Sequence, residues 1–469
     1  MIYLYVFCIF LIMIIVSRIK LFALIVNFIL LIILNFVLPN DTINDFGLKF
    51  FVYSICSIII LAIIQKSILS AVNILFVTFV LFQAGIPIAY FLFDGYSSFY
   101  ISFFSETNIL ESCKLTLISI EILTSSLILF CKNNSSTNKT IFIKFQFIEN
   151  KKFMYKIGNN LFWLSAIVVV PLYVYVANLT IQYGFSQATR GITSSNNIFN
   201  LCRAIFFPAF FIMLCYGRNA KSYNYAKLFF LFVCVLAMII GDRTEGILYL
   251  FAYCYYCNYN YLKNLNNQLR VMVFISLLLY VAVYIGNARI NYSIENISVF
   301  KSIIEEMGFN FFSFCFVRTY IPDYFDFEYG STYINSIVCM IPKSIDFLDY
   351  LKPLRDSLPT LWLYDLNSVF YDGLFDFGTG FSFVAESYMN FSSYGCFTSA
   401  VYGFVLCLIF SNCSERISCW QRYIQIIFFI SFLTFPRRSF SELLNVIEYS
   451  IFGVFVLSYA LFTAFKRKN

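Results

Sequence analysis

Long continuous apolar runs constrain this chain more than any other feature. Stretches 21–38 and 68–93 contain no charged residue, and 48–65 contains one, Lys49. A bilayer-spanning helix needs about 20 predominantly apolar residues, and its backbone polar groups must be satisfied within the segment. The runs are continuous rather than alternating, which excludes an outer-membrane barrel. Composition agrees: 60% of the 469 residues are hydrophobic, 21% aromatic and 12% charged, where a soluble domain carries about 25% charge. A soluble multidomain enzyme, a disordered chain and a coiled coil are excluded.

The runs predict an all-α polytopic membrane protein with about 12–14 transmembrane helices. The expected segments are 2–17, 21–38, 48–65, 68–93, 109–130, 160–178, 200–217, 227–241, 246–262, 270–286, 381–410, 421–435 and 443–465. The N-terminal run lacks a basic leader and a small-residue cleavage site, so it reads as retained. Three parts follow: about ten helices over 1–286, one large external loop over 287–380, and about three helices over 381–469.

Basic residues assign the sides. Arg18, Lys20, Lys66, the six lysines of 131–159, Arg218, Lys221, Lys263, Arg270, Arg416, Arg422 and the tail Lys466-Arg467-Lys468 share one set of loops, which holds only Glu149 and Glu415 as acids. The positive-inside rule makes that set cytoplasmic. It also accounts for the net charge of +7 without a nucleic-acid partner. The external loop 287–380 holds 12 acids and 6 basic residues.

Chemistry is narrowed by absence. There is no histidine, hence no imidazole metal site and no His base. No P-loop, GxGxxG or metal-ligand cluster occurs, so no cofactor and no metal are expected. The 15 cysteines are scattered through apolar runs, and Cys254-Tyr-Tyr-Cys257 reads as packing.

Charge in or near the membrane is costly, and so marks functional candidates. Arginine outnumbers lysine outside: Arg190, Arg203, Arg243, Arg289, Arg318, Arg355, Arg437 and Arg438. Its fork of donors matches phosphate or carboxylate; pairing with nearby acids is the plainer role for any one of them. Arg243 lies in Gly241-Asp-Arg-Thr-Glu-Gly246, between two arms expected to be short. An arm of about 15 residues rises about 22 Å against a core of about 30 Å, which places the turn below the external surface. Glu386 follows the large loop where the chain re-enters the membrane, with no basic residue at helical spacing. A desolvated carboxylate with no cation nearby is a strengthened base. Tyr and Phe beside acids in 318–330 and 364–380 suit a hydroxyl-rich ligand, or an aromatic mini-core.

These pieces resemble the bacterial O-antigen polymerases, the Wzy-type oligosaccharide repeat-unit polymerases. The resemblance is carried by Gly241-Asp242-Arg243 opening a span, and by Phe327-Glu328-Tyr329-Gly330-Ser331-Thr332-Tyr333 followed by Ile341-Pro342-Lys343. The third block is Ala385-Glu386-Ser387-Tyr388-Met389-Asn390-Phe391 leading to Tyr394-Gly395. One departure is Ser392-Ser393, where a glycine is expected directly after Phe391.

The resemblance implies a GT-C-like fold in the bacterial cytoplasmic (inner) membrane with an external active face. It implies glycosyl transfer, inverting in outcome, between undecaprenyl-diphosphate-linked oligosaccharides, with a flippase, a chain-length regulator and a ligase as partners. With no His, the base is an acid or a Tyr: Glu386, with Glu328 behind it. Arg243, Arg190, Arg289, Arg318 and Arg437 are expected on the diphosphate, and Tyr329, Tyr333 and Tyr388 on the glycan. An O-antigen ligase and a polysaccharide flippase remain the rival readings.

Overall fold

The computed structural model describes residues 18–98, 101–131, 146–183, 197–240, 243–258, 264–289, 299–340, 353–354, 359, 381–410 and 417–466. Within them the protein is helical throughout, with no strand. Nine helices among the described residues are long and apolar enough to cross a membrane, and Gly246–Cys257 is a shorter apolar helix. The protein is an all-α, multi-pass membrane protein. Every segment expected from residue 21 onward contains helix; the run 2–17 lies outside the described residues.

The chain folds into two compact units, each assembled from separated stretches. The first holds 1–136, 304–413 and 434–441; the second holds 137–303, 414–433 and 442–469.

In the first unit, helices Ile43–Gln65, Ala71–Leu92 and Glu106–Phe130 begin at capping hydroxyls: Thr42, Ser70 and Ser105 accept from the third residue of each helix. Thr42 and Asp45 form a reciprocal capping box, satisfying donors that have no partner inside the helix. The expected large loop is partly helical, with Val299–Gly308, Asn310–Tyr320 and Ser331–Val338. It packs backbone-to-backbone on the membrane helices: a Cβ on Gly85 would lie 2.6 Å from Gly308 Cα. No larger residue permits that approach.

The second unit is held by aromatic rings. Phe210 stacks on Phe230 at 3.9 Å, Phe207 lies nearly parallel to Tyr249 at 3.9 Å, and Phe162 stacks on Phe206 at 4.6 Å. These pairs join helices Lys151–Tyr183, Asn197–Gly217, Lys221–Ile240 and Arg243–Asn258. Offset and stacked pairs of this kind contribute about 0.5–1.5 kcal/mol each beyond their burial.

Among the boundaries that differ from the sequence expectation, two change the argument. The polar stretch 131–159 is not all loop, because helix Lys151–Tyr183 starts inside it and runs for 33 residues. Lysine is a good helix former, and its stem extends a span past the apolar edge. Likewise the arm expected at 227–241 is helix Lys221–Ile240, with 20 residues. That is about 30 Å of rise, enough to cross. The short-arm reasoning for Arg243 therefore rests on the return helix alone, Arg243–Asn258, with 16 residues.

Candidate functional site

The site centres on the short helix Phe383–Phe391, which is capped by Ser382 and carries Glu386 in its first turn. A 3-10 turn, Ser392–Phe397, separates it from helix Thr398–Phe410. Ser392 has φ 54° and ψ −145°, a conformation that favours glycine. The serine standing where the resemblance calls for glycine thus occupies a glycine-like backbone position.

Glu386 is 1% exposed. Phe440 N–H donates to its Oε2 at 2.8 Å, and the Thr332 hydroxyl to Oε1 at 3.2 Å. Phe440 opens helix Phe440–Ile447, so the carboxylate sits where helical N–H groups lack partners and a negative charge is favoured. Beneath it Phe383 packs against Phe79, Tyr402 and Phe435, with centroids 5.4–5.7 Å apart. Gln83, buried within helix Ala71–Leu92, ties the site together: it donates to Pro436 O at 2.6 Å and accepts from Ser382 Oγ at 2.6 Å. Phe381 N–H donates to Arg437 O at 3.2 Å.

The loop segment 327–333 docks on the same helix. Glu328 N–H donates to Met389 O at 3.0 Å, and Gly330 N–H to Asn390 Oδ1 at 2.9 Å. Asn390 Nδ2 donates to Thr332 Oγ1 at 2.7 Å. This docking holds the Glu328 side chain exposed, accepting from Ser331 Oγ, and leaves Tyr329 80% exposed. Tyr333 stacks on Phe391 and hydrogen-bonds Ser387 Oγ at 3.2 Å. Burial, with Glu386 nearby, pushes the Tyr333 pKa up, so its hydroxyl keeps its proton.

Tyr388 is buried, with its ring against Phe314 and Phe327. Arg318 donates to its hydroxyl at 3.0 Å and lies over its ring. Arg318 also pairs with Glu111. The plainer arginine role, pairing with an acid, is therefore realised at Arg318.

The structure thus brings Glu386, Glu328, Tyr329, Tyr333, Tyr388, Arg318 and Arg437 into the first unit. Arg243 and Arg289 begin and end helices of the second unit, and their side chains lie outside the described residues. Arg190, Arg355, Lys343, Gly241-Asp242 and the aromatic-acid stretch 364–380 also lie outside them. Sequence reading passed over Gln83, Thr332, Ser387 and Asn390. The last three stand inside two of the three quoted blocks, and Gln83 is an amide within a largely apolar run; a buried amide must find hydrogen-bond partners, and that was the available signal.

Comparison with known proteins gives a family match. A family model described as O-antigen polysaccharide polymerase Wzy matches residues 1–469. No curated protein and no solved structure matches the chain.

Proposed function

The chain belongs to the O-antigen polysaccharide polymerase Wzy family, and on that premise we propose how it polymerises. Its substrates are oligosaccharide repeat units carried on undecaprenyl diphosphate, at the external face of the bacterial cytoplasmic membrane. Its helical membrane body is GT-C-like. A flippase supplies the units, a chain-length regulator sets when they stop, and a ligase removes the product.

In the proposed step, a hydroxyl of the newest lipid-linked unit attacks the anomeric carbon of the growing chain. The bond from that carbon to the lipid diphosphate breaks, and the diphosphate leaves as an anion. The acceptor proton passes to a carboxylate on the opposite side of the sugar, by analogy with inverting glycosidases. Glu386 is the leading base and Glu328 the second. Arg437, and Arg190, Arg243 and Arg289 with it, contact the diphosphate. Charge grows there as the bond breaks, so arginines aimed at it favour the transition state over the ground state. Arg318 is proposed for the same group, reaching it while it braces Tyr388. Tyr329, Tyr333 and Tyr388 line the path of the sugars.

One observation carries this reading: an acid buried at the head of a membrane span is hydrogen-bonded to the loop segment that presents an exposed carboxylate and an exposed tyrosine. A carboxylate that closes a purely structural contact needs no such neighbours. The test is glycan length in a deletion strain. Single repeat units on the lipopolysaccharide are expected. A ligase loss leaves none attached, and a flippase loss blocks export; either outcome overturns the proposal.

A further inference from the structure

The side chain of Asn390 is fully buried and fully used. Its Oδ1 accepts the Gly330 N–H at 2.9 Å. A backbone N–H can only donate, so this bond sets which end of the amide faces which way. The Nδ2 is thereby turned to donate to Glu386 O at 2.8 Å and to Thr332 Oγ1 at 2.7 Å. Having accepted there, the Thr332 hydroxyl directs its single hydrogen to Glu386 Oε1 at 3.2 Å. Donation therefore runs one way, from Gly330 through Asn390 and Thr332 to Glu386. The other carboxylate oxygen takes the Phe440 N–H at 2.8 Å. Donors on both oxygens fix the plane of the carboxylate.

We propose that Asn390 and Thr332 are positioning residues for Glu386, with Asn390 setting the direction in which the Thr332 hydroxyl donates. The inference rests on Glu386 being the base of the transfer. Neither residue meets the sugar or the diphosphate. Both act by holding the base in one orientation before the acceptor arrives, which is where misplacement by about 1 Å costs roughly a hundredfold. The chain also links the loop to the chemistry: the segment that displays Tyr329 orients the base through the same hydrogen bonds that dock it.

The test is a set of variants in the full-length protein, purified in detergent, with polymerisation of a lipid-linked repeat unit followed to give kcat and KM. Asn390→Asp keeps the shape and still accepts from Gly330. It loses both donations and offers Thr332 an acceptor, so the hydroxyl hydrogen turns away from Glu386. A roughly ten- to a hundredfold fall in kcat is expected, with KM unchanged. Thr332→Val is expected to fall equally, and Thr332→Ser to recover most of that loss. The double variant Asn390→Asp/Thr332→Val is expected to fall no further than either single one, because both remove the same donation. Wild-type kcat in Thr332→Val overturns the inference, and so do losses that multiply in the double variant. If Asn390→Asp does not accumulate, the Val and Ser pair at 332 decides alone. If Val does not accumulate, Thr332→Cys is used, which keeps only a weak donor, and wild-type kcat there overturns the inference. Full activity in Glu386→Gln removes the base reading itself, whereas an inactive Glu386→Gln beside an unaffected Thr332→Val removes only the positioning roles.

Discussion

Glu386 Oε2 accepts the backbone N–H of Phe440 at 2.8 Å. This bond joins the head of one membrane span to the start of another, next to the Arg437-Arg438 turn, and it places a carboxylate at the open end of a helix.

That placement makes Glu386→Gln the most informative single change. The amide keeps the shape and can still accept on one atom, but it cannot take a proton. General-base assistance contributes about 10²–10⁴-fold, so a folded protein with only single or very short repeats on the lipopolysaccharide is expected, alongside normal protein level on an immunoblot. Glu386→Asp is shorter by one methylene and should retain part of the activity. Wild-type chain length in the Gln variant passes the same test to Glu328.

Arg318 is shared between Glu111 and Tyr388. Glu111 is half exposed, so the ion pair itself contributes at most about 1 kcal/mol. Glu111→Gln should leave chain length within about twofold. Arg318→Lys keeps a charge for Glu111 but loses the fork that reaches the tyrosine hydroxyl at the same time, and shorter polymer is expected on a gel. Equal polymer from Arg318→Lys and wild type would remove Arg318 from the working machinery.

Arg243 opens helix Arg243–Asn258. If it grips a diphosphate through paired donors, Arg243→Lys impairs polymerisation despite retaining the charge, because lysine offers a point charge rather than a fork. The measurement is chain length at matched protein level in Arg243→Lys and Arg243→Ala strains. Long chains from Arg243→Ala would take it out of the proposed site.

Ser392 sits at φ 54°, where a side chain costs about 1–3 kcal/mol. Glycine removes that strain and gives back about 1 kcal/mol through its freer unfolded chain. Ser392→Gly is therefore expected to be neutral to stabilising by about 2 kcal/mol, read as an unchanged or higher unfolding temperature in detergent. Ser392→Val should lower it. A clear loss of stability in the glycine variant contradicts the strain.

Loop sidedness can be checked directly. Single cysteines at Asn134 and Asp349, in a cysteine-depleted background, are predicted to label from the cytoplasm and from outside respectively. Labelling of position 349 only after lysis reverses the orientation.

Gly85 and Gly308 show how much of this protein a sequence reader can reach. Both were visible as glycines, one in an apolar run and one in the large loop, yet nothing local says that they meet. The same holds for Gln83, which lies 353 residues from the carbonyl it holds, and for Thr332, 54 residues from the carboxylate it serves. Arg318 was legible as an external arginine, but its partner Glu111 was not, since choosing among several acids needs three-dimensional distance.

By itself the sequence determined that the chain is helical, that it crosses a membrane many times and where most of those crossings lie. A bilayer leaves the backbone no partner but its own segment, so apolar length translates directly into helix. Helix ends were decided less sharply, because lysine and tyrosine at the membrane edge belong equally to span and loop, as at Lys151 and Lys221. Only the tertiary structure decided that Asn390, Thr332, Glu386 and Phe440 form one directed set of hydrogen bonds. Hydrogen bonds act over about 3 Å, and the residues that reach that distance are selected by packing across the whole fold, which local pattern does not encode.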